Sequence, residues 1–166
     1  MIILESKRLI LKTLENSNIQ ELHKKIFSDV DVMRYAFAGK TFTLEESEIF
    51  IDKYFAKASS KVGIGVLFDK EDNTLIGLAG LIKFNENDCE IGFMLAKEFW
   101  GNGYAKEIGK AQIDLANNEL NFEHIYATAN PENKNSLKAL MNLNMSYLKD
   151  IYLDDRGIRK LLIYKF

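Results

Sequence analysis

One stretch, residues 88–115, most constrains what this 166-residue chain can fold into. It reads D-C-E-I-G-F-M-L-A-K-E-F-W-G-N-G-Y-A-K-E-I-G-K-A-Q-I-D-L. Residues 89–95 have the pattern of a strand, and from Tyr104 onward apolar residues recur at helical spacing. Gly101 and Gly103 lie between them, where the free amides and dipole of a helix start favour an anion. The stretch therefore predicts a phosphate-binding turn, with an ordinary structural loop as the alternative.

Two well-known phosphate motifs do not fit this turn. The nucleoside-triphosphate loop needs G-x-x-x-x-G-K-[ST], whereas Gly103 is followed by Tyr104 and Ala105. The dinucleotide fingerprint needs Gly or Ala three residues after its second glycine, and Lys106 stands there. A shorter loop, W-G-N-G-Y-A at residues 100–105, remains as the candidate for holding a pyrophosphate.

This loop resembles the coenzyme-A pyrophosphate loop, Q/R-x-x-G-x-G/A, of the GNAT acetyltransferase superfamily. Trp100 replaces the usual Gln or Arg, which is typical of the branch that includes the ribosomal-protein-alanine acetyltransferases. The motif E-I-G-F at residues 90–93 resembles the same branch, as do four further segments: E-S-K-R-L-I-L at 5–11, D-V-M-R-Y at 31–35, T-L-E-E at 43–46 and N-P-E-N-K-N-S at 130–136. Two positions depart from the pattern: Leu140 replaces a general-acid Tyr, and Asn144, expected in the left-handed conformation, replaces a Gly.

The residue pattern and the resemblance predict the same architecture, an α+β fold. Periodicity predicts strands at about 7–14, 62–68, 75–84, 89–95, 125–129, 147–153 and 158–164. The unbroken apolar run at 75–84 predicts a strand covered on both faces, and Gly63 and Gly65 predict close packing against the strand at 62–68. Helices are expected after Ser17 or Asn18, after the capping box at Thr43, from Tyr104 to about residue 117, and after Asn133 or Asn135. The last of these helices is expected to bury Leu137, Leu140 and Met141 on one face. We therefore expect a GNAT-type mixed, mostly antiparallel sheet of about seven strands, flanked by about four helices, in a single domain over residues 1–166.

The resemblance implies acetyl transfer from acetyl-CoA to a primary amine, such as an N-terminal amino group or a small-molecule amine. Glu90 is the expected base, with an outward-facing strand glutamate as the alternative. Ser136 could protonate the leaving thiolate, with a helix-capping role as the alternative. The expected cofactor-binding residues are Phe93, Met94, Leu95, Trp100, Gly101, Asn102, Gly103, Tyr104, Ala105, Lys106, Asn130, Asn133 and Ser136. Lys106, Lys110, Lys134 and Lys138 could attract the nucleotide phosphates or be ordinary solvated charges.

Two other functions remain open at this stage. Because Leu140 cannot act as an acid, the chain could be a catalytically idle acyl-CoA-binding or sensing module on the same fold. Because Gly63 and Gly65 could widen the acyl end of the site, a different acyl donor is also conceivable. Cys89 is a poor candidate nucleophile, since no histidine is placed nearby in the sequence to activate it.

Composition narrows the remaining possibilities. The net charge of −2 argues against a dedicated nucleic-acid binder, and one cysteine excludes an internal disulfide. The N-terminal apolar run is too short for a signal peptide, and residues 75–82 are too few for a membrane span. We expect a cytoplasmic protein, monomer or homodimer, that needs no metal and has neither nucleic acid nor membrane as a partner.

Overall fold

Eight strands form one sheet in the computed structural model, which describes residues 1–57 and 59–165. The order across the sheet is β1-β2-β3-β4-β5-β6-β8-β7. The strands are β1 (Ile2–Glu5), β2 (Leu9–Lys12), β3 (Gly63–Asp69), β4 (Leu75–Lys83), β5 (Asp88–Leu95), β6 (His124–Ala129), β7 (Met145–Leu153) and β8 (Gly157–Tyr164). The α-helices are α1 (Ile19–Leu22), α2 (Val30–Met33), α3 (Leu44–Tyr54), α4 (Tyr104–Asp114) and α5 (Lys134–Met141). The fold is the mixed, mostly antiparallel α+β architecture that the sequence predicts.

Two apolar cores cover the two faces of the sheet. One contains α4 and α5, with Ile108 and Leu140 packed over Ile91 and Ala127. The other contains α1, α2 and α3, whose apolar side chains pack with Val66 and Leu78. Strand β4 is buried on both faces from Leu75 to Leu81, which confirms the prediction made from its unbroken apolar run.

The expected close packing at the glycines of β3 is confirmed. A Cβ on Gly63 would lie 2.5 Å from the backbone of Ala56, and one on Gly65 would lie 2.6 Å from the Lys12 carbonyl oxygen. These glycines let neighbouring chain segments approach the sheet. Their proximity to backbone gives them a packing role.

Strands β5 and β6 form the one parallel pair among the described strands, and the other neighbours pair antiparallel. The pairing covers three residues of β5, Asp88, Cys89 and Glu90. Beyond Glu90, β5 continues alongside β4, whereas β6 continues alongside β8. The two strands therefore separate, and a cleft opens between their carboxyl-terminal halves.

The structure corrects three details of the prediction. Strand β1 was missed because four residues carry little periodic signal, and it raises the count from seven strands to eight. Helix α2 was missed for the same reason, although Asp29 caps it by accepting from two backbone amides. Met141, expected on the buried face of α5, is 59% exposed. The predicted caps at Thr43 and Asn133 and the left-handed Asn144 (φ 66°) are confirmed.

Candidate active site

The cleft between β5 and β6 exposes unpaired backbone of β5. Ala96 N–H donates to the Ile76 carbonyl at 2.9 Å, which directs the amides of every second residue of β5 toward β4. Met94 belongs to this set, with Leu78 as its partner in β4. The backbone N–H and C=O of Phe93 and the N–H of Leu95 consequently face the cleft. Among the described residues, no strand pairs with them there.

The loop that follows β5 ends in a set of backbone N–H groups without partners in the described chain. Gly101 and Gly103 take the left-handed conformation, with φ of 80° and 77°, which a side chain would strain. Gly103 is the N-cap of α4 and has no side chain to cap the helix. Within the described chain, none of the amides from Gly101 to Lys106 donates to another residue. These amides, with the positive end of the α4 dipole, suit a pyrophosphate.

Trp100 and Asn102 hold the shape of this loop. Trp100 Nε1 donates to the Leu95 carbonyl at 2.9 Å, which ties the loop to the end of β5. The Asn102 side chain donates to the Phe99 carbonyl at 3.0 Å. Both residues therefore support the loop from within, and their side-chain contacts leave its amides free.

The turn between β1 and β2 also contacts the loop. The Arg8 guanidinium donates from Nη1 to the Asn102 carbonyl at 2.9 Å and lies 4.4 Å from the centre of the Tyr104 ring. Its Nε donates to Glu107 Oε2 at 2.7 Å. Glu107 Oε1 accepts from Ser6 Oγ and from the Arg8 amide. Burial opposes ionisation of Glu107, but these hydrogen bonds and the Arg8 charge lower its pKa below the usual range.

The turn that follows β6 lies at the same edge of the sheet as this loop, because β5 and β6 run parallel. Asn130 Oδ1 accepts from the Glu132 amide and Asn133 Oδ1 accepts from the Ser136 amide, so both side chains shape the turn and the start of α5. The half-buried Ser136 hydroxyl makes no hydrogen bond within the described chain. Asn130 and Asn133 thus lie in the turn after β6, and Ser136 lies in the first turn of α5.

Glu90 is buried at the point where the two strands separate, with 7% of its surface exposed. Its Oε1 accepts from Thr128 Oγ1 at 2.6 Å and lies 3.4 Å from Arg156 Nη1. Arg156 Nη1 also donates to Thr128 Oγ1 at 3.2 Å. Oε2 accepts nothing from the residues that the structure describes. The arrangement fixes the carboxylate through one oxygen and leaves the other available.

A second cleft, of about 340 Å³, lies beside Arg156. Its walls are the segment after α2 and the turn between β7 and β8; the lining residues are Arg34, Phe37, Ala38, Gly39, Asn130, Asp154, Asp155, Arg156, Gly157 and Arg159. Arg159 is 5% exposed and donates to the carbonyls of Tyr35 and Phe37, which joins the two walls. Four residues of the segment after α2, Arg34, Phe37, Ala38 and Gly39, thus line this cleft.

The space above β5 on the Glu90 face is open. Side chains alternate along the strand, so Glu90, Gly92 and Met94 share this face. A Cβ on Gly92 would meet no atom within 4 Å. Gly92 therefore leaves room for a substrate group next to the free oxygen of Glu90 and the exposed Phe93 amide.

The surroundings of Cys89 and of Leu140 do not suit either position for catalysis. Cys89 is fully buried, and burial, followed by the nearby Asp88 and Glu90 carboxylates, raises its pKa to about 12. Such a thiol is a poor nucleophile. Leu140 is only 3% exposed and packs in the core, so this position cannot supply a general acid. Lys110 pairs with Asp114, whereas Lys106, Lys134 and Lys138 form no ion pair with described residues.

Sequence reasoning missed Arg8, Thr128 and Arg156. Thr128 lies on the polar face of β6, and its alternation with Ala127 and Ala129 was a usable signal. Arg8 lies in the E-S-K-R-L-I-L segment, and nothing in that segment indicates that Arg8 contacts a loop 94 residues away. Arg156 belongs to a hairpin turn, where nothing in the local sequence points to Glu90.

Two negative findings apply to residues 1–57 and 59–165. No group of three or more His, Cys, Asp or Glu side chains is arranged to hold a metal ion. None of the helices is both long and apolar enough to cross a membrane.

Comparison with known sequences gives a consistent result. Residues 8–146 match the Acetyltransferase (GNAT) domain family. The uncharacterized protein YkkB of Bacillus subtilis is 30% identical over 151 residues, which cover 89% of this chain and 87% of YkkB. The uncharacterized N-acetyltransferase YnaD of the same organism is 29% identical over 141 residues, which cover 84% of this chain and 80% of YnaD.

Solved structures with the same fold include a GNAT-family acetyltransferase from Bacillus anthracis, with a TM-score of 0.83, 24% identity and coverage of 98% and 97% of the two chains. Spermidine N-acetyltransferase from Vibrio cholerae, in complex with CoA and spermine, has a TM-score of 0.77, 21% identity and coverage of 94% of each chain. The ribosomal L7/L12 alpha-N-protein acetyltransferase RimL, in complex with CoA, has a TM-score of 0.78, 13% identity and coverage of 98% and 97%.

Proposed function

The chain belongs to the GNAT acetyltransferase family, and on that premise we propose that it transfers an acetyl group from acetyl-CoA to a primary amine by direct attack in a ternary complex. One observation carries the proposal. The unpaired inner edge of β5 leads directly into the loop whose amides, from Gly101 to Lys106, have no partner within the described chain. An extended arm that ends in a pyrophosphate needs this combination of an open strand edge and an anion site.

The residues of the cleft fit the co-substrate. The loop amides would bind the pyrophosphate, and a side chain at Gly103 would strain the left-handed backbone that directs them. The Phe93 C=O and the Leu95 N–H would pair with the amides of the pantetheine arm, as an added strand would. From the other side, the side-chain amide hydrogens of Asn130 and Asn133 would donate to the arm. When bound, acetyl-CoA supplies the acetyl group as a thioester.

Glu90 would accept the proton that the incoming ammonium must lose, directly or through one water. Its free Oε2 is the atom for this role, because Thr128 and Arg156 already hold Oε1. The Phe93 N–H would stabilise negative charge that develops on the acyl oxygen. The Ser136 hydroxyl would donate a proton to the leaving sulfur and regain one from the nitrogen that forms the new amide, although a thiol with a pKa of about 8.5 is a fair leaving group by itself.

The acceptor class follows from proton affinity and from charge. Deprotonating an α-amino group of pKa about 8 at pH 7 costs about 1.4 kcal/mol, whereas a lysine side chain of pKa about 10.4 costs about 4.6 kcal/mol. The cleft beside Glu90 carries three arginines, Arg34, Arg156 and Arg159, which balance Asp154, Asp155 and Glu90 and leave no net negative charge. This wall does not attract a polycation. We therefore assign the acceptor to N-terminal amino groups or small, weakly basic amines.

An acceptor panel tests the proposal. CoA release would be measured with peptides that have a free N-terminus, with amino sugars, with lysine and with spermidine. Glu90→Gln should lower kcat by about 10²- to 10⁴-fold, the usual contribution of a general base, and leave the KM for acetyl-CoA nearly unchanged. Glu48→Gln is the matched control, since exposed Glu48 forms no ion pair with described residues.

Each alternative gives a different result in this assay. Binding of acetyl-CoA without turnover of any amine would indicate a catalytically idle module. Faster turnover with propionyl- or succinyl-CoA would indicate a different acyl donor. Full activity of the Glu90→Gln variant would remove Glu90 from the mechanism and leave the co-substrate site intact.

A further inference from the structure

We infer that Arg8 is a positioning residue for the nucleotide end of acetyl-CoA, because it holds the Gly101–Lys106 loop in its open-amide shape. The inference rests on the proposed function and extends it to a part of the chain outside the cleft. It assigns a role to the turn between β1 and β2, which is 94 residues away from Asn102 in the sequence.

The contacts of Arg8 reach both sides of the helix start. Nη1 donates to the Asn102 carbonyl, which belongs to the peptide whose N–H is the Gly103 amide. The guanidinium also covers the ring of Tyr104, the first residue of α4, at 4.4 Å. One planar group thereby restrains the residues on either side of Gly103. The direction of the Gly103 N–H depends on that peptide plane, so Arg8 determines where the donor points.

Arg8 also balances a charge that would otherwise oppose the ligand. Glu107 lies in the first turn of α4, close to a site meant for a dianion. It accepts from Arg8 Nε at 2.7 Å and forms an ion pair in which 42% of the Arg8 side chain and 17% of the Glu107 side chain are exposed. With Arg8 in place the pair has no net charge. Without Arg8, an ionised Glu107 would repel the phosphates.

A lysine could not reproduce this arrangement. Arg8 uses Nε for the carboxylate, Nη1 for the carbonyl and its flat face for the Tyr104 ring. A lysine ammonium is a single point of donation and cannot make all three contacts at once. Arg8→Lys therefore keeps the positive charge that balances Glu107 but loses the contacts that hold the loop, so it tests these two effects of Arg8 separately.

The experiment compares two ligands that share the acyl end. Acetyl-CoA carries the pyrophosphate, whereas acetyl-pantetheine lacks it. For the wild type, Arg8→Ala, Arg8→Lys and Arg8→Ala/Glu107→Gln, we would measure the dissociation constant of acetyl-CoA and kcat/KM with each thioester. Lys7→Ala is the matched control, because it removes a positive charge from the same turn and Lys7 contacts no described residue by hydrogen bond or ion pair.

We expect Arg8→Ala to weaken acetyl-CoA binding by about tenfold or more, as for other charged hydrogen bonds, with unchanged kcat/KM for acetyl-pantetheine. Arg8→Lys should fall between Arg8→Ala and the wild type, and the double variant should recover part of the affinity. Equal losses for both thioesters, or an unchanged acetyl-CoA affinity, would overturn the inference. A wild type that binds no acetyl-CoA would overturn the proposed function as well. If Arg8→Ala does not fold, Arg8→Lys alone decides through the same ligand comparison.

Discussion

Replacing Gly103 by alanine should damage acetyl-CoA binding much more than it damages the fold. With φ of 77°, Gly103 occupies the left-handed region, where a Cβ costs about 1–2 kcal/mol. The nearest atom to that Cβ would be Arg8 Nη2 at 3.6 Å, an ordinary contact, so no clash adds to the strain. For a domain of this size, the cost corresponds to a fall in Tm of about 2–8 °C.

Gly157→Ala provides the matched control for backbone strain. Gly157 has φ of 70°, and its Cβ would meet no atom within 4 Å. It is the first residue of β8, away from the loop that precedes α4. The two variants should therefore lose similar stability in the absence of ligand, and any difference between them with ligand reports on the loop.

The assay is thermal unfolding with and without acetyl-CoA, with ATP and NAD as control ligands. Acetyl-CoA at 100 times its dissociation constant should stabilise the wild type and Gly157→Ala by about 2.7 kcal/mol, a rise in Tm of several degrees. Gly103→Ala should show little or no rise at the same concentration. If Gly103→Ala keeps the full ligand-induced rise, the loop does not bind the pyrophosphate and its assignment must be abandoned.

Three further outcomes follow from the structure. Gly92→Ala should keep the Tm and raise the KM for the amine, because its Cβ enters the open space next to Glu90. Gly80→Ala is the comparison and should lower the Tm, because its Cβ would lie 2.3 Å from a backbone oxygen. Equal Tm values for the two variants would contradict this. Cys89, with a pKa near 12, should resist alkylation at pH 8 until the protein is unfolded in urea, and rapid native labelling would contradict its burial. The pKa of Glu107 is lower in the folded protein than in the unfolded chain, so its ionisation stabilises the fold. This stabilisation is complete above the unfolded pKa and is lost as the pH falls through the folded pKa. Glu107→Gln should therefore flatten the acid side of a plot of Tm against pH.

Periodicity and turn chemistry were enough to predict most of the fold. The seven predicted strands are present, and the capping box at Thr43 is in place, because these features depend on neighbours in the sequence. The short β1 and α2 were missed because four residues do not establish a period. Met141 was misplaced because its exposed position depends on how α5 rests on the sheet, which the helical pattern alone does not determine.

For the candidate site, the sequence was informative about backbone and much less about side-chain partners. The glycines and the strand before them predicted a sharp turn before a helix, and the left-handed conformations of Gly101 and Gly103 confirm that turn. The partners of Glu90 could not be predicted, because Arg156 approaches from a turn 66 residues away. The roles assigned to Glu90 and Ser136 stay predictions until the variants are assayed.

The separation of β5 from β6 also bears on aggregation. Unpaired strand edges on a protein surface invite pairing with other chains, and proteins usually block them with charge, proline or a covering segment. Here the unpaired edge of β5 is internal, bordered by β6 and closed at one end where Glu90 meets Tyr126. The extended pantetheine arm is narrow enough to enter from the open end. A strand of another folded protein is part of a sheet, and the rest of that sheet would have to enter with it. The fold can thus keep a binding edge permanently unsatisfied without offering it to its neighbours in a crowded solution.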